Sequence, residues 1–302
     1  MKLAARGSFR SASVMNTSGS KSLANRAGAG LAALFASSVC AGAATLVSGP
    51  STYTQDFNAV GAATTPWADD ATVPGWFAGI NANNTPDGPL QATDGNDATA
   101  LSGLLNLGSA GAPERALGSK STGVGNFANI AYGALFQNVS AQRLMVTSVS
   151  YTGELWRTNS TAEPGTAEQW FTSYKTSPVP ITDTEPGPSS ATPEPGTFIA
   201  APDFNWSSPT NTPPATALDG NDPANRVAIS GTLNAVVEAG EYFMFRWVDT
   251  NLAGTDGYQG IDEVSITFVP EPGSLSLALA GGLVLLRRRR APRFGEGCSR
   301  GR

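Results

Sequence analysis

The chain reads as an all-β protein: an antiparallel β-sandwich with jelly-roll-like strand order over residues 44–268. Three observations lead there. No apolar pattern of 3.6-residue period and useful length occurs between 45 and 268. Several short stretches alternate apolar and polar residues with period two, which puts successive side chains on opposite faces of a sheet. Clusters of Gly, Pro, Asn and Asp separate these stretches, as tight turns require.

Taken in order, "TYTQDFNAV" is the first candidate strand and "GALFQNVS" the next. In "RLMVTSVSYTGELWR" the alternation sets Met145, Val149 and Tyr151 on one face. The stretch 158–225 is rich in Pro, Thr, Ser and Glu, and its centre, near 176–200, predicts a long exposed loop. The strands after this stretch are too few to close a core alone, so it is read as an insertion within one domain. Strands resume at or before "DFNW" and continue with "NRVAISGTL". "YFMFRWVDT" sets Phe243, Phe245 and Trp247 against Tyr242, Met244, Arg246 and Val248. "GIDEVSITFV" sets Asp262, Val264, Ile266 and Phe268 against Glu263, Ser265 and Thr267.

Charge divides the chain into three parts. Residues 1–43 carry five basic residues and no acid, and residues 287–302 carry seven arginines and one acid. Between them lie seven basic and 23 acidic residues, a net charge of −16 that the whole-chain value of −5 conceals. So acidic a middle is repelled by nucleic acid phosphates, whose binding requires clustered Lys and Arg. There is no histidine, which excludes His-based triads, His-ligated zinc and His general bases. The two cysteines, Cys40 and Cys298, lie outside the acidic part, so no disulfide or thiolate metal site is available within it.

Residues 1–43 have the layout of a signal peptide handled by the Sec translocon and signal peptidase. Lys21 and Arg26 precede the small and apolar run Ala27 to Val39, and Ala41-Gly42-Ala43 fits the cleavage site. The other end carries "VPEPGSLSLALAGGLVLLRRRR", residues 269–290, followed by a basic tail, 291–302. Its apolar run, 274–286, would span roughly 20 Å as a helix against a hydrocarbon core of about 30 Å. Pro270 and Pro272 keep a helix from extending backward, and Arg287, Arg288, Arg289 and Arg290 hold the far end at the cytoplasmic headgroups.

The order Pro270-Glu271-Pro272-Gly273, apolar run, arginine cluster resembles the PEP-CTERM sorting signal of Gram-negative bacteria. The same tripeptide at Pro193 to Pro195 has no apolar run after it and carries no such signal. The resemblance implies transient insertion in the inner membrane and recognition by an exosortase. Cleavage near the motif would then deliver the protein to the cell surface or the extracellular matrix. Most of 50–268 also resembles a group of exported bacterial β-sandwich domains of unassigned role. The matching stretches are "YTQDFNAV", "PGWFAG", "ERALGS", "VSYTGELWR", "ALDGN" and "FRWVDTNLAGTDGYQGIDEVSITF".

Asp262 is the sharpest candidate for chemistry, because its alternation places a carboxylate among core residues, where it needs a partner or a cation. One reading is a Ca²⁺ site built from Asp56, Asp249, Asp256 and Asp262, since Ca²⁺ takes six to eight oxygens from loops and strands. The other is a turn cap, or a pair with Arg226 or Arg246. "TDGNDA" (Asp94, Asn96, Asp97) and "LDGNDPAN" (Asp219, Asn221, Asp222) resemble fragments of an EF-hand loop but lack its twelfth-position Glu, and DGN is also an ordinary turn. Trp76 and Trp206, near loops, are the candidate platforms for stacking sugar rings. Glu154 with Glu168, or Asp262 with Glu263, are the carboxylate pairs a glycosidase would need, but their spacing does not support that role. Glu154 and Arg157 are expected to form an ion pair. The expected role is a non-enzymatic structural or interaction protein of the cell surface. A calcium-stabilised module binding exopolysaccharide is the alternative, and an extracellular hydrolase comes third.

Overall fold

In the computed structural model, strands supply every regular element of length among the described residues, apart from three short 3-10 turns. The structure describes residues 44–80, 88–123, 127, 129–159, 167–186, 197–210, 214–252, 256–271 and 273. All of these belong to one unit, Cys40–Arg302. The expected signal peptide, Pro272, the apolar run 274–286, Arg287 to Arg290 and the basic tail lie outside the described residues. Among the described residues, no helix is long and apolar enough to cross a membrane.

In chain order the strands are β1 (Thr45–Val47), β2 (Ser51–Gln55), β3 (Thr65–Pro66), β4 (Trp76–Ile80), β5 (Pro89–Thr93), β6 (Gly103–Leu107), β7 (Ala116–Lys120) and β8 (Asn129–Asn138). They continue with β9 (Leu144–Arg157), β10 (Gln169–Ser177), β11 (Ile199–Ala200), β12 (Trp206–Ser207), β13 (Arg226–Val237), β14 (Tyr242–Thr250) and β15 (Tyr258–Pro270). The first sheet has the order β1-β8-β14-β10-β11, with β4 also on β8 and β12 also on β10. The second has the order β13-β9-β15-β7-β6-β5-β3, with β2 also on β15.

The fold is all-β, as expected, but the sheets are mixed rather than purely antiparallel. β1 runs parallel to β8, with Thr45 opposite Phe136, and β5 runs parallel to β6, with Gln91 opposite Leu105. Neither pair is joined by a hairpin, so no tight turn dictates the direction. The chain leaves β1 for the second sheet, and 94–102 separates β5 from β6.

One apolar cluster draws on both sheets, so they pack face to face. From the first sheet come Trp76, Tyr132, Phe136, Phe243, Phe245 and Trp247, and from the second Val149, Tyr151, Ile261, Val264, Ile266 and Phe268. Trp247 is its centre: it stacks on Trp76 at 5.5 Å and meets Tyr151 and Phe245 edge-on at 5.5 and 4.9 Å. The alternation read in β14 holds, with Phe243, Phe245 and Trp247 inside and Met244 on the outer face.

Two bulges overturn other side assignments. In β9 the pairing to β15 skips Thr147, so Leu144 and Val146 join the core while Met145 is only half-buried. In β15 the pairing skips from Asp262 to Ser265, and Glu263 adopts a left-handed φ of 52°. The extra residue reverses the phase of the strand. Ile261 and Val264 both point into the core, and Asp262, opposite Thr152, lies on the outer face instead.

β10 crosses the stretch read from sequence as an insertion, and it is an inner strand, flanked by β14 and β11. The loop expected to be exposed near 176–200 is in part anchored. Ile181 and Phe198 pack with Phe77, Leu135 and Met244 on the outer face of the first sheet. Beneath Phe198, whose ring centre is 3.9 Å from the Arg246 guanidinium carbon, Arg246 donates to Ser173 Oγ at 2.7 Å and to the Thr184 and Glu185 carbonyls. The final strand runs to Pro270, two residues past the expected end of the domain.

Candidate functional site

β15 changes partner along one edge. Its first part, Gln259 to Ile261, pairs with β7, and its second, Val264 to Phe268, pairs with β2. The bulge at Glu263 sits at this change. It turns Asp262 outward beside Thr152 of β9, on the face that also presents Glu154. Glu114 lies two residues before β7 begins, so the chain entering β7 carries a third carboxylate to the same place. One oxygen from each of Glu114, Glu154 and Asp262 lies within 4.8 Å of the others. Among the described residues this is the one group of three carboxylates so close together.

Trp156, hydrogen-bonded to Glu154, belongs to a small apolar cluster with Leu105, Leu107, Ala116 and Tyr258. Both DGN stretches pack on Trp156. A Cβ at Gly95 would lie 2.2 Å from the Trp156 carbonyl oxygen, and one at Gly220 would lie 2.1 Å from its indole nitrogen. They are clamps on a tryptophan, with Asp94 and Asp219 accepting backbone N–H groups two residues on. Glu154 is fully buried and Asp262 is 4% exposed.

Each carboxylate has a donor on one side. Trp156 Nε1 donates to Glu154 Oε2 at 3.0 Å, Asn221 Nδ2 donates to Glu114 Oε2, and the Glu263 N–H donates to Asp262. Of the remaining oxygens, Glu114 Oε1 and Asp262 Oδ1 have no hydrogen-bond donor within the protein. Arg226 Nη2 makes an ion pair with Glu154 Oε1 at 3.0 Å, and reaches the exposed Glu263 at 3.6 Å. Desolvation raises the Glu154 carboxyl to about 7. Desolvation, with the charges of Glu154 and Glu114, raises Asp262 to about 8.

A second acidic cluster closes one end of the core. Asp249 is on the inner side of β14, and Ser119 of β7 reaches across to donate to its Oδ2 at 2.7 Å. The Ser121 N–H donates to the same oxygen at 3.1 Å. Ser121 Oγ lies 3.1 Å from Asp249 Oδ1 and 2.8 Å from Asp256 Oδ2. One hydroxyl proton serves one carboxylate, so both contacts are hydrogen bonds only when one carboxyl is itself protonated. Glu168 accepts from the Gly257 N–H at 2.6 Å and from Gln259 Nε2. Burial is the main cause that raises all three, Asp249 to about 6, Glu168 to about 7 and Asp256 to about 8.

The four-aspartate cation site expected from sequence is therefore not assembled. Asp249 and Asp256 share Ser121, Asp262 joins Glu114 and Glu154, and Asp56 is an exposed residue whose Oδ1 accepts the Asn58 N–H at 3.2 Å. Phase reversal at the bulge separates Asp262 from the core face on which Asp249 lies. Glu154 pairs with Arg226 rather than Arg157, because Arg226 stands directly opposite it in β13. Arg157 donates instead to the Gly95 carbonyl at 2.6 Å. Sequence reasoning missed Glu114 as a partner of Asp262; no local pattern announces a contact between residues 148 positions apart.

Trp76 and Trp206 are 0% and 2% exposed and cannot stack on a sugar from solvent. Trp76 lies between Phe57 and Trp247 and donates to Tyr53 Oη at 2.8 Å. Trp206 packs edge-on against Trp170 and covers Gly153. Of the sorting motif, Pro270 is opposite Leu144 in the last strand pair. The Glu271 N–H donates to the Arg143 carbonyl at 3.2 Å, and the Glu271 carboxylate accepts from Arg143 Nη1 at 2.9 Å. Gly273 is exposed.

No family model and no curated protein matches the chain. Among solved structures, it is similar to the K2 cleaved adhesin domain of Lys-gingipain at a TM-score of 0.33 and 14% identity, covering 72% of this chain and 98% of that one. The K3 cleaved adhesin domain of Lys-gingipain from Porphyromonas gingivalis also gives a TM-score of 0.33 and 14% identity, covering 71% and 97%. A carbohydrate-binding module, TmCBM61 in complex with β-1,4-galactotriose, gives 0.19 and 13%, covering 54% and 74%.

Proposed function

We propose that this chain is an exported, non-enzymatic protein of the cell surface or extracellular matrix, with a structural or interaction role, released through an exosortase. The observation that carries the reading is the order of parts at the chain end: Pro-Glu-Pro, a 13-residue apolar run too short for a lasting anchor, then four arginines. The fold supports it in one respect. The final strand ends on Pro270, and Glu271 is tied to Arg143, so the motif starts where the sheet stops and Gly273 is already exposed. A protease working there can remove the tail without entering the core.

The absence of histidine favours a non-catalytic role. So does the use of Glu154, Glu168, Asp249 and Asp262 as buried parts of the fold.

Intact-mass measurement of protein recovered outside the cells tests the reading. The expected species begins near Ala44 and ends close to Glu271–Gly273. Extracellular protein that still carries 274–302 overturns it.

A further inference from the structure

We infer that Glu114, Glu154 and Asp262 hold a calcium ion on the outer face of the second sheet. Three features converge on a cation. First, the geometry is that of a ligand set: three carboxylate oxygens within 4.8 Å of one another, delivered by two neighbouring strands and the loop that enters a third. Second, Glu114 Oε1 and Asp262 Oδ1 have no donor within the protein, and Glu154 Oε1 has the Arg226 ion pair alone. Glu154 and Asp262 are 0% and 4% exposed, so bulk solvent does not reach them. The donors Trp156, Asn221 and the Glu263 N–H fix the opposite oxygens and orient the three groups. Third, the charge does not balance. Arg226 supplies one positive charge against three carboxylates, and with all three ionised a divalent ion supplies the remaining two.

The donor set selects the metal. All ligands are hard carboxylate oxygens, without nitrogen or sulfur, which suits calcium or magnesium and not zinc. Magnesium requires a near-octahedral shell at about 2.0–2.1 Å and keeps much of its water, whereas calcium accepts irregular shells of six to eight oxygens at about 2.3–2.6 Å. Two long Glu side chains and one Asp from three separate backbone segments make an irregular set, and carbonyls or water complete it. The site is independent of the surface role proposed above: it would stabilise the fold whatever the protein touches.

The test uses the full chain with terbium and calcium as probes. Trp156 is hydrogen-bonded to a ligand carboxylate, so exciting tryptophan should sensitise terbium luminescence, which calcium displaces and equal magnesium does not. Replacing EDTA with calcium at about 100 times its dissociation constant should raise the melting temperature by about 5–10 °C. Asp262→Asn and Glu114→Gln should each lose the terbium signal and the calcium-dependent rise. Asp56→Asn, at an exposed residue, should keep both. A wild-type melting temperature unmoved by calcium, with no calcium-displaceable luminescence, overturns the site. So does retention of the signal in both trio variants. Equal displacement by magnesium overturns the choice of calcium. The wild-type titration decides the matter even where a variant fails to fold, and Glu114, the least buried of the three, is the substitution the fold tolerates best.

Discussion

Gly220→Ala adds one methyl group to a loop, and the structure makes it costly. The new Cβ would lie 2.1 Å from Trp156 Nε1 and 2.3 and 2.6 Å from two ring carbons. Carbon and ring atoms settle near 3.5–4.0 Å, so the indole or the loop must move by more than 1 Å. Neither is free to do so. Trp156 is 1% exposed, packed among Leu105, Leu107 and Tyr258, and its nitrogen is hydrogen-bonded to Glu154. The loop is held by Asn225 Nδ2 donating to the Asp219 carbonyl and by the Leu218 N–H donating to the Trp156 carbonyl. Overpacking of this kind costs about 1–3 kcal/mol, and weakening the indole bond to a carboxylate adds about 1–2 kcal/mol. At about 2–4 °C per kcal/mol for a domain of this size, the melting temperature should fall by about 4–20 °C. Differential scanning calorimetry measures it. Gly49→Ala is the control, since nothing lies within 4 Å of its Cβ and its φ is not positive. A Gly220→Ala protein melting within 1 °C of wild type would show that the loop does not press on Trp156, and the account of how Glu154 is positioned would go with it.

Trp76→Ala should cost about 3–5 kcal/mol by urea unfolding, because it removes the partner on which Trp247 stacks and the indole donor to the Tyr53 hydroxyl. Loss of a polysaccharide contact with an unchanged urea midpoint would contradict its burial. In EDTA, stability should fall as pH rises from about 4 to about 8.5. Glu168, Asp249 and Asp256 titrate higher in the folded protein, at about 7, 6 and 8, than their ordinary values of 4.5, 3.8 and 3.8. Folding therefore takes up protons across this window; the benefit is full below the unfolded values and is lost through the folded ones. Burial lowers the pKa of the nearby Lys120, and its attraction to Asp256, Glu168 and Asp249 opposes that shift. Melting temperatures at pH 5 and 8.5 measure the slope, and Asp256→Asn should flatten it. A melting temperature that rises with pH in EDTA would refute the sign.

What the sequence conveys about this fold is set by how local each signal is. Period-two alternation in β14 is local, and its two faces are as read. A bulge is also local, but it is made by one residue in a left-handed conformation, and Glu263 is not a residue that advertises one. Asp262 was therefore assigned the wrong side, although its need for a partner was legible. β10 was hidden by Thr, Ser and Lys at its half-buried positions and by the Pro-rich stretch after it. Its inward residues, Trp170 and Tyr174, gain meaning only once β14 lies beside them. Trp76 and Trp206 sit near turns in the chain yet inside the sandwich in space. Proximity to a turn limits how far a backbone lies from the surface, not which way a large ring points.

The two acidic clusters carry the same formal charge, three carboxylates each, and the fold treats them differently. At the end of the core, donors outnumber the problem: Ser119, Ser121, the Gly257 N–H and Gln259 converge on Asp249, Asp256 and Glu168. Protons shared through Ser121 remove what charge remains, and the cluster closes on itself. On the outer face, each carboxylate has one oxygen held by a donor, and of the other three oxygens Glu154 Oε1 alone has a partner, the Arg226 guanidinium. Carboxylates buried without donors persist only when something else completes them. A cluster completed from inside is a structural plug that responds to pH. The outer cluster, in which Glu114 and Asp262 each keep an oxygen with no donor, is the one where the proposed calcium would bind.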